Sequence, residues 1–374
     1  MLAQQFGLIG TVCNDGDGVL IEVQGKSFSI NAFIDTLSKD KPTLARIDAI
    51  ERLKKRHIDH TDPESLKTAS GFEVIESSHS NANTGVTADA ATCDACLADI
   101  FDEHNRRHCY PFTNCTHCGP RLSIIKGIPY DRAQTSMDEF AMCSSCLREY
   151  GSPEDRRFHA QPNACPECGP KIWLEDNTGK LVSTAVKKQR YKNPIPDMPI
   201  IKAALAIREK AIIAVKGIGG IHLAACACDD DSGVSAVKKL RLKKQRPCKP
   251  FAIMVKDIAM AARYCHISDE ERTLLASSAA PIVLLEKRKR ISSNASKLSA
   301  DIAPGQTTLG LMLPYSPLHH LLLNVLNKPI VLTSANASNE PQCIDNDHAR
   351  ENLSDIADYF YYIIVLLKIV WMIQ

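Results

Sequence analysis

Residues 91–122, ATCDACLADIFDEHNRRHCYPFTNCTHCGPRL, and residues 141–172, AMCSSCLREYGSPEDRRFHAQPNACPECGPKI, carry four CxxC pairs in series: Cys93/Cys96, Cys115/Cys118, Cys143/Cys146 and Cys165/Cys168. The gap between pairs is 18 residues in both halves, and the halves align at an offset of 50. They share the Leu after the first pair, an Arg-Arg pair (Arg106-Arg107, Arg156-Arg157) and a Cys-Gly-Pro exit, as two copies of one unit would. A CxxC turn presents two thiolates on one side of a tight loop, and two such turns complete a tetrahedral sulfur cage for zinc. With four cysteine ligands no position is left for water, so the metal is expected to stabilise folding and not to do chemistry. Disulfides or redox CxxC pairs explain eight cysteines repeating in register poorly. Ligand sets within each repeat are expected; a cross-braced arrangement is the alternative, because spacing fixes the pairs and not their partners.

Composition bounds the rest. A chain of 374 residues, 44% hydrophobic and 24% charged, fits a globular protein of two to four domains. A formal net charge of +2 argues against a dedicated nucleic-acid binder. The seven cysteines outside the pairs are scattered, which suits a reducing compartment, and the first residues, MLAQQFGLIG, do not read as a signal peptide. A cytoplasmic location and no membrane partner are expected.

Toward the N-terminus, LIGTVCN and VLIEVQG alternate as two strands around an Asp-Gly-Asp-Gly turn. A helix follows, with Ile30, Phe33, Ile34 and Leu37 on one face, and strands are expected at Leu44–Leu53 and Gly71–Glu76. Gly10, Val12, Asn14, Gly18, Val19, Ile21, Val23, Gln24 and Gly25 resemble the second half of the acylphosphatase family, a ferredoxin-like fold. The resemblance implies that Asn14 orients an attacking water as the catalytic residue of that half. The family's VQGVGFR phosphate loop is absent from this sequence, so no guanidinium balances the phosphoryl charge and acyl-phosphate hydrolysis is not expected. On local sequence alone Asn14 reads equally as a turn residue.

After a polar, basic connector at 177–197, helix and strand alternate from Ile200: IIKAALAIREKA, IIAVKG, a Gly-rich loop GIGGIHL, a cation-rich helix, a buried strand after Pro250, two helices near 257–265 and 269–277, PIVLLEK, a helix after LPYSPLHH, and PIVLTSAN. This is an α/β domain. Lys244, Arg246 and Lys249 stand where they can reach one triphosphate, and Ser334 and Asn336 close a strand at its carboxyl end, where open α/β sheets hold ligands. The bland reading is a basic helix face.

KGIGGIHLAACA, LRLKKQRPCKPFAIMV, LGLMLPYSPLHHLLL and VLTSANASNEP resemble the YrdC family, most closely the version in the hydrogenase maturation carbamoyltransferase family, HypF. The resemblance covers nearly all of residues 7–360. It implies an α+β and α/β multidomain chain: a partial acylphosphatase-like domain (1–78), a tandem zinc-finger domain (89–176), a linker (177–197), a YrdC-like domain (198–360) and an aberrant tail (361–374). It also implies a relay in which carbamoyl phosphate yields carbamate, ATP with Mg2+ converts carbamate to carbamoyl adenylate, and the group passes to the C-terminal cysteine of a HypE-like partner as precursor of the cyanide ligand of [NiFe]-hydrogenase. ATP and carbamate roles fall on Lys216, Lys244, Arg246, Lys249, Ser334 and Asn336. His222, His319 and His320 read as structural or substrate-lining. No carbamoyl-transfer domain is matched, and the composition turns apolar in YYIIVLLKIVWMIQ, so an incomplete form without full activity is expected. Two alternatives stand: threonylcarbamoyl-adenylate synthesis for tRNA modification, and a zinc protein gripping double-stranded RNA through Lys238–Arg246.

Overall fold

The structure is a computed structural model that describes residues 2–14, 18–41, 44–45, 47–52, 71–75, 87–128, 130–184, 198–229, 234–289, 296–336 and 341–363. Near the N-terminus, α1 (Leu2–Gln5), β1 (Ile9–Asn14), β2 (Val19–Gln24), α2 (Ser27–Lys39) and β3 (Phe72–Val74) form a small unit. Its sheet runs β2-β1-β3, with β2 antiparallel and β3 parallel to β1, and Ala3, Leu8 and Phe33 make its core. The alternation of β1 and β2 and the 3.6-residue stripe of α2 appear as the sequence dictates. No strand forms over the described residues of 44–53, a segment dense in charged side chains that has no apolar alternation to bury.

Helices α3 (Asp94–Phe101) and α4 (Ser144–Gly151) start the two cysteine repeats. The remaining elements are β4 (Ile172–Asp176), β5 (Leu181–Thr184), α5 (Pro199–Arg208), β6 (Ile213–Gly217), β7 (Gly220–Cys226), α6 (Ala236–Lys243), β8 (Ile253–Met254), α7 (Ile258–Tyr264), α8 (Asp269–Leu275), β9 (Val283–Glu286), β10 (Thr308–Met312), α9 (Pro317–Leu326), β11 (Ile330–Ser334), α10 (Asn346–Leu353) and β12 (Tyr359–Ile363). They build a mixed sheet ordered β5-β4-β12-β6-β7-β11-β8-β10-β9. Its central strands are buried on both faces and read as continuous apolar runs for that reason. Helix boundaries follow their caps: Asp257 for α7, a Ser268/Glu271 capping box for α8, Ser316 with Pro317 at the first turn for α9, and Asp345 for α10.

Three placements differ from the sequence reading. GIGG is a tight turn between strands: Gly217 pairs with Gly220 across a two-residue hairpin turn, Ile218-Gly219, where Gly219 takes φ +82°. The β4–β5 hairpin, split between finger and linker in the sequence reading, joins the large sheet through β12. Strand β12 runs to Ile363, so Tyr361, Tyr362 and Ile363, placed in the tail by composition, are buried in that sheet. Residues 364–374 and 185–197 lie outside the described residues.

Candidate functional site

Each repeat gathers its four cysteines. Cys93 and Cys143 cap α3 and α4, Cys96 and Cys146 sit in the first turn of those helices, and the second pairs lie in tight knuckles. The sulfurs of Cys93, Cys96, Cys115 and Cys118 lie within 4.8 Å of one another, as do those of Cys143, Cys146, Cys165 and Cys168. The sets form within repeats, not across them. Sulfur separations of 3.7 Å (Cys93–Cys115), 3.8 Å (Cys115–Cys118), 3.7 Å (Cys143–Cys165), 3.8 Å (Cys165–Cys168) and 3.6 Å (Cys146–Cys168) are far too long for disulfides. They match the edge of a tetrahedron of about 3.8 Å set by a Zn–S bond of about 2.3 Å, so the residues fit zinc.

The shared Arg-Arg pairs, given no role by the sequence, lock the repeats together reciprocally. Arg106 donates to Cys146 Sγ at 3.2 Å and Arg156 donates to Cys96 Sγ at 3.0 Å, so each repeat hydrogen-bonds a thiol of the other. Arg106 and Arg107 also share Glu149 at 2.6 Å, while Arg156 and Arg157 share Asp99. Burial alone would raise the Glu149 carboxyl, but Arg107 and Arg106 hold it down at about 2. Ile100 of α3 enters the core of the large domain, and the Thr92 backbone N–H donates to Tyr315 O at 3.1 Å, which docks the first finger on the α/β domain.

In that domain a cavity of about 530 Å³ is lined by His222, Arg246, Phe251, Tyr315, Thr333 and Ser334, among others. Lys244, Arg246, Ser334 and Asn336 converge beside it. Lys244 Nζ donates to Ser334 O at 2.7 Å and to Asn336 Oδ1 at 3.1 Å, Ser334 Oγ donates to Asn336 Oδ1 at 2.8 Å, and Arg246 Nη1 donates to Thr333 Oγ1 at 3.2 Å. Lys249 joins through its backbone, its carbonyl accepting from Arg246 and Arg241 at 3.2 Å each. Burial, then Arg246, lowers Lys244 to about 8.

Lys216 does not join them. Strand alternation sends its side chain to the face opposite Gly217, where Nζ donates to Asn346 Oδ1 at 2.8 Å. Burial lowers it to about 8. Asn14 ends β1, paired with Val19, in the separate three-stranded sheet. The sequence reading missed Arg241 and Phe251. Buried Arg241 donates to the carbonyls of Arg246, Pro247 and Lys249, holding the loop, and both Arg241 (4.7 Å) and Arg246 (4.6 Å) lie over the Phe251 ring. The signal existed: Val237, Leu240, Arg241 and Lys244 share one helical face. Of the cations in Lys238–Arg246, Lys239 pairs with Asp358, Lys243 donates to Ile356 O, and Arg241, Lys244 and Arg246 are engaged as above, while Lys238 is exposed. His222, His319 and His320 are lowered by burial to about 4, 3 and 4 and are neutral at neutral pH.

This combination defines a class, tandem four-cysteine fingers docked on a YrdC-type α/β domain. The HypF finger family model matches residues 92–125 and 142–175, the acylphosphatase model matches 1–68, and the Sua5/YciO/YrdC model, described as telomere recombination, matches 205–364. Carbamoyltransferase HypF of Rhodobacter capsulatus is 46% identical over 96% of this chain and 43% of its own length, and that of Synechocystis sp. is 43% identical over the same shares. Full-length HypF in the phosphate- and nucleotide-bound form aligns with a TM-score of 0.83 at 41% identity, covering 98% of this chain and 44% of that one. Human threonylcarbamoyl-AMP synthase is 27% identical over only 39% of this chain. The chain is similar to these HypF proteins over nearly all of its own length and spans less than half of theirs. No helix among the described residues is long and apolar enough to cross a membrane.

Proposed function

We propose that this chain carries the carbamate-adenylating part of a hydrogenase-maturation carbamoyltransferase, in the cytoplasm. The observation that carries the reading is the convergence of Lys244, Arg246, Ser334 and Asn336 beside a cavity of about 530 Å³. ATP is the nucleotide, with Arg246 forking onto phosphate oxygens and Lys244 and Lys249 as point charges beside them. Ser334 and Asn336 orient nucleotide or carbamate. A carbamate oxygen forms a bond to the α-phosphorus and the bond to pyrophosphate breaks, its electron pair leaving with pyrophosphate, so the protein's part is positioning and charge neutralisation. Mg2+ supplies further charge neutralisation on the phosphates. Carbamate derives from carbamoyl phosphate, and the acceptor is the C-terminal cysteine of a HypE-like partner. Zinc in each finger is structural. Lys216, bound to Asn346 on the other face, positions the sheet rather than the phosphates, and Asn14 is a structural residue of its half-domain.

ATP/pyrophosphate exchange by the zinc-loaded chain tests this. Exchange is expected with carbamate supplied from bicarbonate and ammonia. Exchange that requires threonine with bicarbonate would move the chain to threonylcarbamoyl-adenylate synthesis, and none with either would overturn the adenylation reading.

A further inference from the structure

Gly217 leaves a recess where three polar groups meet. A methyl group on Gly217 would stand 3.5 Å from His222 Nδ1, 3.6 Å from His319 Cε1 and 3.7 Å from Tyr315 Oη. Val215 pairs with His222 in the β6–β7 register, which puts the imidazole on the Gly217 side of the sheet, and Ser334 pairs with His222 from β11. His319 reaches in from α9, 1% exposed, with its ring 4.5 Å from that of Tyr315. His222 and Tyr315 also line the large cavity next to Arg246 and Ser334, so the recess opens on the nucleotide side.

Two ring nitrogens here, His222 Nδ1 and His319 Nε2, are buried with no hydrogen-bond partner among the described residues. A buried polar group left unpaired costs about 1–3 kcal/mol, so two such groups around one recess point to a ligand that completes them. Their neighbours assign the first as a donor and are compatible with the second as one. Gln342 Nε2 donates to Ile221 O at 2.6 Å, which orients the amide, and the same nitrogen lies 3.4 Å from His222 Nε2. That ring nitrogen therefore accepts, and Nδ1 carries the proton. Ser316 Oγ accepts from the His319 backbone N–H at 3.4 Å and lies 2.8 Å from His319 Nδ1. In the tautomer in which that hydroxyl donates to Nδ1, the proton is on Nε2. Burial keeps Tyr315 protonated, a third donor.

We propose that this recess is the subsite for a small planar carboxylate-type anion, held by His222 Nδ1–H, His319 Nε2–H and Tyr315 Oη–H. On the adenylation reading, on which this identification rests, the anion is carbamate. The carboxylate end of carbamate offers about four lone-pair positions, the complement of three donors around the recess. Uncharged donors bind one carboxylate without adding a cation that competes for the triphosphate, which leaves the polyphosphate to Lys244 and Arg246.

Two variants of the zinc-loaded full chain test it. Tyr315→Phe deletes one oxygen, and His222→Phe keeps a ring and deletes both nitrogens. In pyrophosphate exchange each is expected to raise the KM for carbamate about tenfold to a hundredfold, the loss of one hydrogen bond to a charged acceptor, and to leave the KM for ATP within about twofold. An unchanged carbamate KM, or an equal rise in both, would overturn the subsite while leaving adenylation intact. A second measurement needs no turnover: ammonium carbamate, with ammonium chloride as control, is titrated into the wild-type chain without ATP while imidazole 15N signals are followed. The signals lost in His222→Phe are expected to move with carbamate only. Movement without exchange would sink the adenylation reading and keep the subsite; stationary signals would sink the subsite.

Discussion

Replacing Arg156 with Ala is expected to weaken zinc binding in the finger that does not contain it. Arg156 belongs to the second repeat, yet its guanidinium donates to Cys96 Sγ at 3.0 Å and to Ala95 O at 3.1 Å in the first. A hydrogen bond to a charged group contributes about 1.5–3 kcal/mol, and removing an outer partner of a metal ligand costs about tenfold to a hundredfold in affinity, two figures that agree. Asp99 keeps Arg157 after the change, so the carboxylate is not stranded. The assay is alkylation in the presence of a competing chelator, read by peptide mapping. Cys93, Cys96, Cys115 and Cys118 should be modified about tenfold to a hundredfold faster in Arg156→Ala, with the second set within about twofold of wild type. Arg106→Ala should give the mirror image through Cys146. Arg148→Ala, which loses only a bond to Ser145 at 3.3 Å, is the control. If Arg156→Ala exposed the cysteines of its own repeat first, or neither set, reciprocal support would be wrong.

Two further outcomes follow from burial. Lys244 is lowered to about 8, so ATP binding, which needs its charge, should weaken above pH 8 with a rising KM for ATP. Between pH 8 and about 10.4 the unfolded chain holds the lysine proton that the folded chain has released, so this group makes stability rise with pH there; a flat KM across that window would remove Lys244 from the phosphate site. Ile100→Ala should cost about 2–5 kcal/mol, because Ile100 is fully buried in the core of the α/β domain. It should speed protease cleavage of the first finger while a cobalt–thiolate charge-transfer band persists; unchanged proteolysis would mean that α3 does not hold the finger on the domain.

What was legible in the sequence follows the range of the interaction. The cysteine repeats, the β1–β2 hairpin, α2 and the α/β order are local patterns and appear where periodicity and spacing put them. Within the basic run, composition showed cations but not direction: helix geometry buries Arg241 beside Leu240, and only the fold shows that it holds the Arg246–Lys249 loop. The resemblance groups Lys216 with the phosphate cations; in the fold, strand alternation turns it to Asn346. His222 and His319 read as substrate-lining candidates in the sequence, but that they meet with Tyr315 at Gly217 is set by the fold, because His222 comes from β7 and the other two from the start of α9. Tyr361 and Tyr362 looked like a change of composition, yet an apolar run between two covered strands is what a central strand requires.

Strand β12 has a kinetic consequence. It pairs with β4 on one side and β6 on the other, and in the sheet the β4–β5 hairpin touches the rest through β12 alone. Strands β4 and β6 each have one neighbour, β5 and β7, and their second edges stay unpaired until residues 359–363 have been synthesised and placed between them. Long loop closure must precede the β4–β12 and β6–β12 pairings, so these late steps of folding are slow and leave one edge of β4 and one edge of β6 open meanwhile. Those two edges are the places where a chaperone would hold the nascent chain, and where a copy stalled before β12 would aggregate.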